Sequence, residues 1–341
     1  MKDLLLTRLQ QGLPLEVRPF QILAREMNST EGEVLEWVHQ LKAERMIRRL
    51  SPIYDTRMLG YDSSLVAFVA TPERLEETAQ RVSEHPGVSH NYERSHGFNL
   101  WFTLALPPDS RLGIQATVEL VAGLSGVTQH AILRSRRVFK IGVKLKVGVQ
   151  DQGREPHFET TRLARPLDAR EQAIVRFTQG DLELVPRPFL SCSGELCLNE
   201  EELVEHLRDL QARGVMRRFA AVLHHRRAGF RANGMAVWQV PPDRLDEVGG
   251  LMASYNAISH CYERTTAESW PYNVFSMIHG HSKQEVEAVA GEIRSQTGLA
   301  PPLILYSVRE FKKKPILYFS TAIHDWEGSV LALPGSAAAL L

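Results

Sequence analysis

Cysteine is scarce. The chain holds three in 341 residues, Cys192, Cys197 and Cys261, too few and too unevenly spaced for a disulfide framework, and no Cys-x-x-Cys pair is present to hold zinc. A reducing compartment is therefore expected, and the cytoplasm is the natural one. An excess of one charge is missing as well. Forty Lys and Arg face forty Asp and Glu, so there is no bulk positive field of the kind nucleic-acid binders use to release counterions. Long apolar runs are also absent: the N-terminus, MKDLLLTRLQQG, carries three leucines before charge returns, so neither a signal peptide nor a membrane span is expected. What is left, 43% hydrophobic and 23% charged, is an ordinary soluble composition, long enough for two cores. Loss of order is expected along the small, apolar stretch from Gly328 to Leu341.

What the chain does have is a copy of itself. Arg18-Pro19-Phe20 returns as Arg187-Pro188-Phe189, and the segment Leu41 to Arg49 returns as Leu210 to Arg218, both 169 residues later. Gly60-Tyr61 matches Gly229-Phe230, Ser89-His90-Asn91-Tyr92-Glu93-Arg94 matches Ser259-His260-Cys261-Tyr262-Glu263-Arg264, and Arg137 to Lys140 matches Arg309 to Lys312. Several anchors in the same order leave little room for chance. The stretch 148–168, with Gly, Pro, Gln and mixed charge but no apolar period, reads as the linker.

Both halves follow one plan. In the first, a short helix holds Phe20 to Met27, and Thr30-x-x-Glu33 is a capping box ahead of the stripe Val34, Trp37/Val38, Leu41. A β-prone stretch with Pro52 follows, predicting a winged helix-turn-helix over 1–60. From Leu65 the pattern becomes strand, helix, two strands around His96-Gly97, helix, strand, which is the βαββαβ order of a ferredoxin-like unit over 61–147. The second half repeats this as 169–230 and 231–320, leaving 321–341 as a tail. The expected fold is α+β, two tandem copies forming an intramolecular pseudo-dimer whose ferredoxin-like sheets pack face to face.

A winged helix followed by a ferredoxin-like unit resembles the Lrp/AsnC family of transcription regulators, over nearly the whole chain and twice. In such a regulator the second helix of the turn enters the major groove, where phosphates repel carboxylates. Here Glu31, Glu33, Glu36 and Glu44 outnumber Lys42 and Arg45, and Asn199 to Arg213 carries five acids against two arginines. Both helices are net acidic, so DNA is not an expected partner.

Chemistry concentrates in the middle hairpins of the ferredoxin-like units. On a strand His90, Tyr92 and Arg94 share one face, presenting an imidazole, a phenol and a guanidinium suited to a flat, anionic, aromatic ligand. The halves then diverge. Trp270 stands where the first half has His96, and His224-His225 stand where it has Asp55-Thr56. A pseudo-dimer with one half specialised, or with both contributing to a shared cleft, accounts for that.

The runs Tyr92-x-Arg94-x-His96-x-x-Asn99-x-Trp101, Arg217-Arg218-Phe219, Ser259 to Arg264, Trp270-Pro271-Tyr272-Asn273 and Met277-Ile278-His279-Gly280, with Gly229 to Trp238, resemble the siroheme decarboxylases in their fused two-half, NirDL-type form. The resemblance implies an Lrp/AsnC-like enzyme that removes CO2 from the C12 and C18 acetates of siroheme to give 12,18-didecarboxysiroheme, for haem d1 or an alternative haem route. It implies no cofactor beyond the iron in the substrate, no protein metal site, and other haem d1 biosynthesis enzymes as candidate partners; pairing of the pseudo-dimer into a further homodimer stays open. Because a methyl group replaces the acetate, a proton must reach carbon as CO2 leaves, and histidine suits that task. His96 is expected to donate it, with His225 or His260 as the second imidazole; an axial ligand on the siroheme iron is the alternative role. Arg94, Arg264, Arg217 and Arg218 are candidate carboxylate clamps, and His90, Tyr92, Asn99, Trp101, Trp270 and Asn273 complete the expected binding set. His279 and His281, flanking Gly280, read as turn residues. The competing readings are a ligand-responsive regulator and a tetrapyrrole carrier without chemistry.

Overall fold

A computed structural model describes residues 1–141, 165–223 and 232–332. The chain divides into two compact units, and the division does not follow the repeat. Like segments of the two halves associate: among the described residues, 1–61, 165–223 and 317–320 form one unit, and 62–141, 232–316 and 321–332 the other.

The first unit holds both helix-turn-helix segments. Helices α1 (Lys2–Gln11), α2 (Pro19–Glu26) and α3 (Glu31–Ala43) bury Leu5 and Leu9, Phe20 and Leu23, and Val34, Val38 and Leu41. Pro19 opens α2, where a missing N–H costs nothing. The capping box at Thr30 and Glu33 forms as expected, and hydrogen bonds from Ser29 and Thr30 hold the Glu33 carboxyl down at about 2. In the second copy, α6 (Ala169–Thr178) and α8 (Glu200–Ala212) carry the same box at Asp168/Glu171 and Asn199/Glu202, with α7 (Leu190–Glu195) between them. The repeated Arg-Pro-Phe gains a physical meaning here. Arg18 pairs with Glu31 and Arg187 with Glu200, the first residue of each acidic helix, while Phe20 and Phe189 are fully buried, each stabilising by roughly 2 kcal/mol relative to exposure.

The wings differ from expectation. Strand β1 (Ile47–Tyr54) does not fold back on its own half; it pairs antiparallel with β6 (Met216–Leu223), Ser51 opposite Ala220 and Pro52 opposite Phe219. Each half supplies one strand of a shared two-stranded sheet, and Pro52, lacking an N–H, is tolerated because both strands are edges.

The second unit is a closed eight-stranded barrel in the order β10-β3-β4-β2-β5-β8-β9-β7. The first half gives β2 (Asp62–Phe68), β3 (Val88–Arg94), β4 (Leu100–Leu106) and β5 (His130–Ile141); the second gives β7 (Ala232–Trp238), β8 (Ile258–Arg264), β9 (Val274–Gly280) and β10 (Leu303–Lys313). The face-to-face packing expected of the sheets is thereby corrected to edge-to-edge closure. The long β5 runs on to pair with β8, and β10 with β3, so no edge is left open. Alternation sorts the side chains. Val66 and Phe68 meet α4 (Leu75–Glu84) and α5 (Gly113–Ser125), Ala236 and Trp238 meet α9 (Leu245–Ser254) and α10 (Lys283–Thr297), and Ala67, Trp101, Leu133, Val237, Phe275 and Leu305 form a third cluster on the opposite, axial face. Order also continues past Gly328: α11 (Ala322–Leu331) packs Ile323 and Trp326 on the first-half core. The loss of order expected from Gly328 is corrected for 328–332; the rest of that stretch, 333–341, lies outside the described residues. No helix among the described residues is long and apolar enough to cross a membrane.

Candidate active site

Two equivalent ladders stand on the barrel. On β3 the rings of His90 and Tyr92 stack at 6.1 Å and 23°, and the Arg94 guanidinium lies 5.8 Å from the Tyr92 centroid. On β8 the rings of His260 and Tyr262 stack at 6.1 Å and 20°, and Arg264 lies 4.9 Å from Tyr262. Each ladder follows from the period of two, and each is interrupted by a bulge: register shifts fall between Val88 and His90 and between Ile258 and His260. The bulge places a serine beside each imidazole. Ser89 Oγ is 2.9 Å from His90 Nδ1 and 2.7 Å from Thr103 Oγ1; Ser259 Oγ is 2.8 Å from His260 Nδ1 and 2.6 Å from His279 Nε2.

Several candidate ligand contacts prove to be engaged inside the protein. The Asn99 amide accepts from Ala70 N at 2.9 Å and donates to Ala70 O at 2.7 Å, and Asn273 does the same with Val240, at 2.8 Å both ways. These asparagines latch the loop after β2 and after β7, satisfying main-chain groups that the sheet leaves open. Trp101 is buried with its indole N–H on Phe98 O at 2.7 Å. Trp270 is 1% exposed, 5.0 Å from Trp101 and 5.5 Å from Phe98, a wall of the axial cluster. Arg264 donates to Leu133 O at 3.0 Å.

Arg94 is the more deeply buried of the two ladder arginines. It donates to Leu305 O at 2.9 Å, it is 7% exposed, and burial lowers its guanidinium to about 10. No carboxylate pairs with it among the described residues, and its Nε has no hydrogen-bond partner there. A buried cation left with one carbonyl and one ring is costly unless an anion arrives.

His96 lies beyond β3 with its ring exposed. Its Nδ1 accepts from Phe98 N at 3.0 Å, its ring parallels Phe98 and meets Trp270 edge-on at 5.5 Å. Partial burial lowers its pKa. Protonation at Nδ1 would break the Phe98 bond, so the geometry favours the neutral ring with its proton on Nε2.

The remaining candidates separate. Arg217, in the helix-turn-helix unit, is paired to Asp55 at 2.7 Å, and Arg218 is exposed on β6 opposite Ile53. His225 lies outside the described residues. Conversely, His279, read from sequence as a turn residue, belongs to β9 directly across from Asn233 on β7. The signal available was the alternation Phe275, Met277, His279, which puts it on the axial face.

Comparison with known proteins places this geometry. The model of the siroheme decarboxylase NirDL-like HTH domain matches residues 3–48 and 171–217, and that of the AsnC-like ligand binding domain matches 58–140 and 227–312. The siroheme decarboxylase of Hydrogenobacter thermophilus is 45% identical over 326 residues, spanning 95% of this chain and 96% of that protein. This chain belongs to the siroheme decarboxylase family. The siroheme decarboxylase NirDL subunit of Paracoccus denitrificans is 29% identical across 91% of this chain and 94% of its own. The crystal structure of the siroheme decarboxylase NirDL in co-complex with an iron-uroporphyrin III analogue matches with a TM-score of 0.80 and 39% identity, covering 97% of this chain and 98% of that one. Siroheme decarboxylases are decarboxylating enzymes, so the chain is read as a carboxy-lyase and the regulator reading is not favoured.

Proposed function

We propose that the chain removes CO2 from the C12 and C18 acetates of siroheme, giving 12,18-didecarboxysiroheme for haem d1 or an alternative haem. The observation that carries this reading within the structure is Arg94, a buried guanidinium with no carboxylate partner among the described residues, on the same strand as a stacked imidazole and phenol. A macrocycle rich in carboxylates supplies the missing anion. Family membership supplies the substrate class.

In the proposed reaction the bond between the acetate methylene and its carboxyl carbon breaks. CO2 leaves, the electron pair stays on the methylene and delocalises into the pyrrole, and a proton converts the methylene to methyl. The protein's work is to hold the other carboxylates and deliver that proton. The Nδ1 of His96 is held by the Phe98 amide, which has no proton to pass on, so giving up Nε2–H would leave an imidazolate; the donor role goes to His260, whose Nδ1 meets the Ser259 hydroxyl. Arg94 faces the substrate through the donors left over from its carbonyl bond. The iron enters with siroheme, and no further cofactor is required; the chain is proposed to work in the cytoplasm as a pseudo-dimer that binds no DNA. Anaerobic incubation with siroheme followed by mass spectrometry tests this reading. The expected products lack first one and then two CO2; siroheme recovered intact would overturn it.

A further inference from the structure

The two halves share the bulge, the serine and the imidazole, but they end their hydrogen-bond chains differently. In the first half Ser89 passes from His90 to the hydroxyl of Thr103, a group that cannot hold an extra proton near neutral pH. In the second half Ser259 passes from His260 to a second imidazole. His279 Nε2 is 2.6 Å from Ser259 Oγ, and His279 Nδ1 is 2.6 Å from Asn233 Oδ1. Ser259 is 2% exposed, so its hydroxyl is sheltered between the rings.

The partners fix the protons. Asn233 Oδ1 is an acceptor, so His279 carries hydrogen on Nδ1, and its Nε2 is the position that gains or loses a proton. A hydroxyl can accept from one ring while donating to the other. The chain therefore has two settings: Ser259 donates to His279 while His260 donates from Nδ1, or His279 donates from Nε2 while Ser259 donates to His260 Nδ1. Switching between them moves one positive charge from one imidazole to the other.

We propose that His279 is the proton reservoir of His260, acting through Ser259, and that the second-half ladder is the one that delivers the proton. The inference rests on the decarboxylase reading and on His260 as donor. In the step, His260 Nε2–H passes to the substrate methylene as CO2 leaves. The Ser259 hydroxyl proton moves to His260 Nδ1, and the His279 Nε2 proton moves to Ser259 Oγ. Both rings end neutral, each with hydrogen on Nδ1. One proton is consumed for each CO2 released; solvent returns it to His260 Nε2 once product has left, and the chain runs back, His260 Nδ1–H to Ser259 and the Ser259 hydroxyl proton to His279 Nε2, which recharges the reservoir. His279 does not touch substrate in this scheme; it is a positioning and supply residue.

The test uses the full chain with siroheme under anaerobic single-turnover conditions, comparing His279→Gln, His279→Gly and Ser259→Ala with wild type. Siroheme affinity, read by its absorbance, is expected to stay within about threefold. CO2 release is expected to slow by roughly a hundredfold, in the range for loss of one acid–base group. Added imidazole should restore part of the rate in His279→Gly and none in Ser259→Ala. A rate within about threefold of wild type in His279→Gln overturns the relay, and so does a loss in His279→Gly that imidazole leaves unchanged. Both outcomes differ from failure of the underlying reading, in which wild type itself releases no CO2 from siroheme.

Discussion

Acid should unfold this protein partly through one histidine. His85 is 1% exposed, its Nδ1 accepts from Gly87 N at 2.9 Å, and its ring meets Trp326 of α11 at 4.1 Å. Its Nε2 has no hydrogen-bond partner among the described residues, and the Lys312 ammonium from β10 bonds the His85 carbonyl at 3.0 Å. Burial first, and Lys312 second, lower the imidazole from 6.5 to about 3. A depressed value means the folded state binds fewer protons than the unfolded one, so stability is complete above pH 6.5 and drains as pH falls toward 3. At about 1.4 kcal/mol per unit, the loss by pH 4 is on the order of 3 kcal/mol, a large part of a typical margin of stability. Carboxylates titrate over the same range, so the informative quantity is a difference. His85→Asn retains an acceptor for the Gly87 N–H but has nothing to protonate. Denaturant titrations from pH 7.5 to 4 should find this variant less stable than wild type at the top of the range, with a gap that closes by about 3 kcal/mol toward the bottom. A gap that stays constant with pH would show that His85 is not held neutral by burial, and the reasoning would fail.

Two further changes test side chains that the structure moves from ligand binding to architecture, or from tail to core. Asn273→Ala removes both bonds to Val240 and should cost roughly 2 kcal/mol in thermal or denaturant unfolding, while siroheme affinity stays within about twofold; a large loss of affinity with unchanged stability would return Asn273 to the binding set. Glu327 is fully buried, accepting from Ser110 Oγ at 2.6 Å and from Arg111 N at 3.2 Å. Glu327→Ala leaves those donors just ahead of α5 without their acceptor, so proteolysis near α11 should accelerate several-fold; an unchanged rate would show that α11 is held without the Glu327 bonds.

Local features of this chain could be read in advance because their causes are local. The capping box at Thr30 and Glu33, the apolar stripe of α3 and the order of strands and helices all depend on residues within a few positions of one another. Barrel closure does not. It requires β5 and β10 to run past their own half and pair with β8 and β3, a choice made by open edges far apart in sequence. The same closure gives the ladder arginines their partners. Arg94 and Arg264 reach carbonyls contributed by the opposite half, Leu305 and Leu133, and Asn99 and Asn273 serve main-chain groups left open by a loop. A sequence displays the polar group and not the unmet partner that will claim it.

Duplication supplies a way to separate those roles. Whatever both halves need in order to fold must be present twice, as it is for the arginines, the asparagines and the serine beside each ladder histidine. What occurs once escapes that constraint. His96 and Trp270 occupy matching positions in the two halves, and their rings meet edge-on at 5.5 Å. The serine chains end differently: in the first half at Thr103, whose counterpart is Met277, and in the second at His279, whose counterpart is Ala105. Symmetric packing would be served equally well by like residues at each of these places. Imidazole against indole at one, and imidazole against a methyl group at the other, is what a duplicated scaffold shows when its two copies fold alike and divide the chemistry between them.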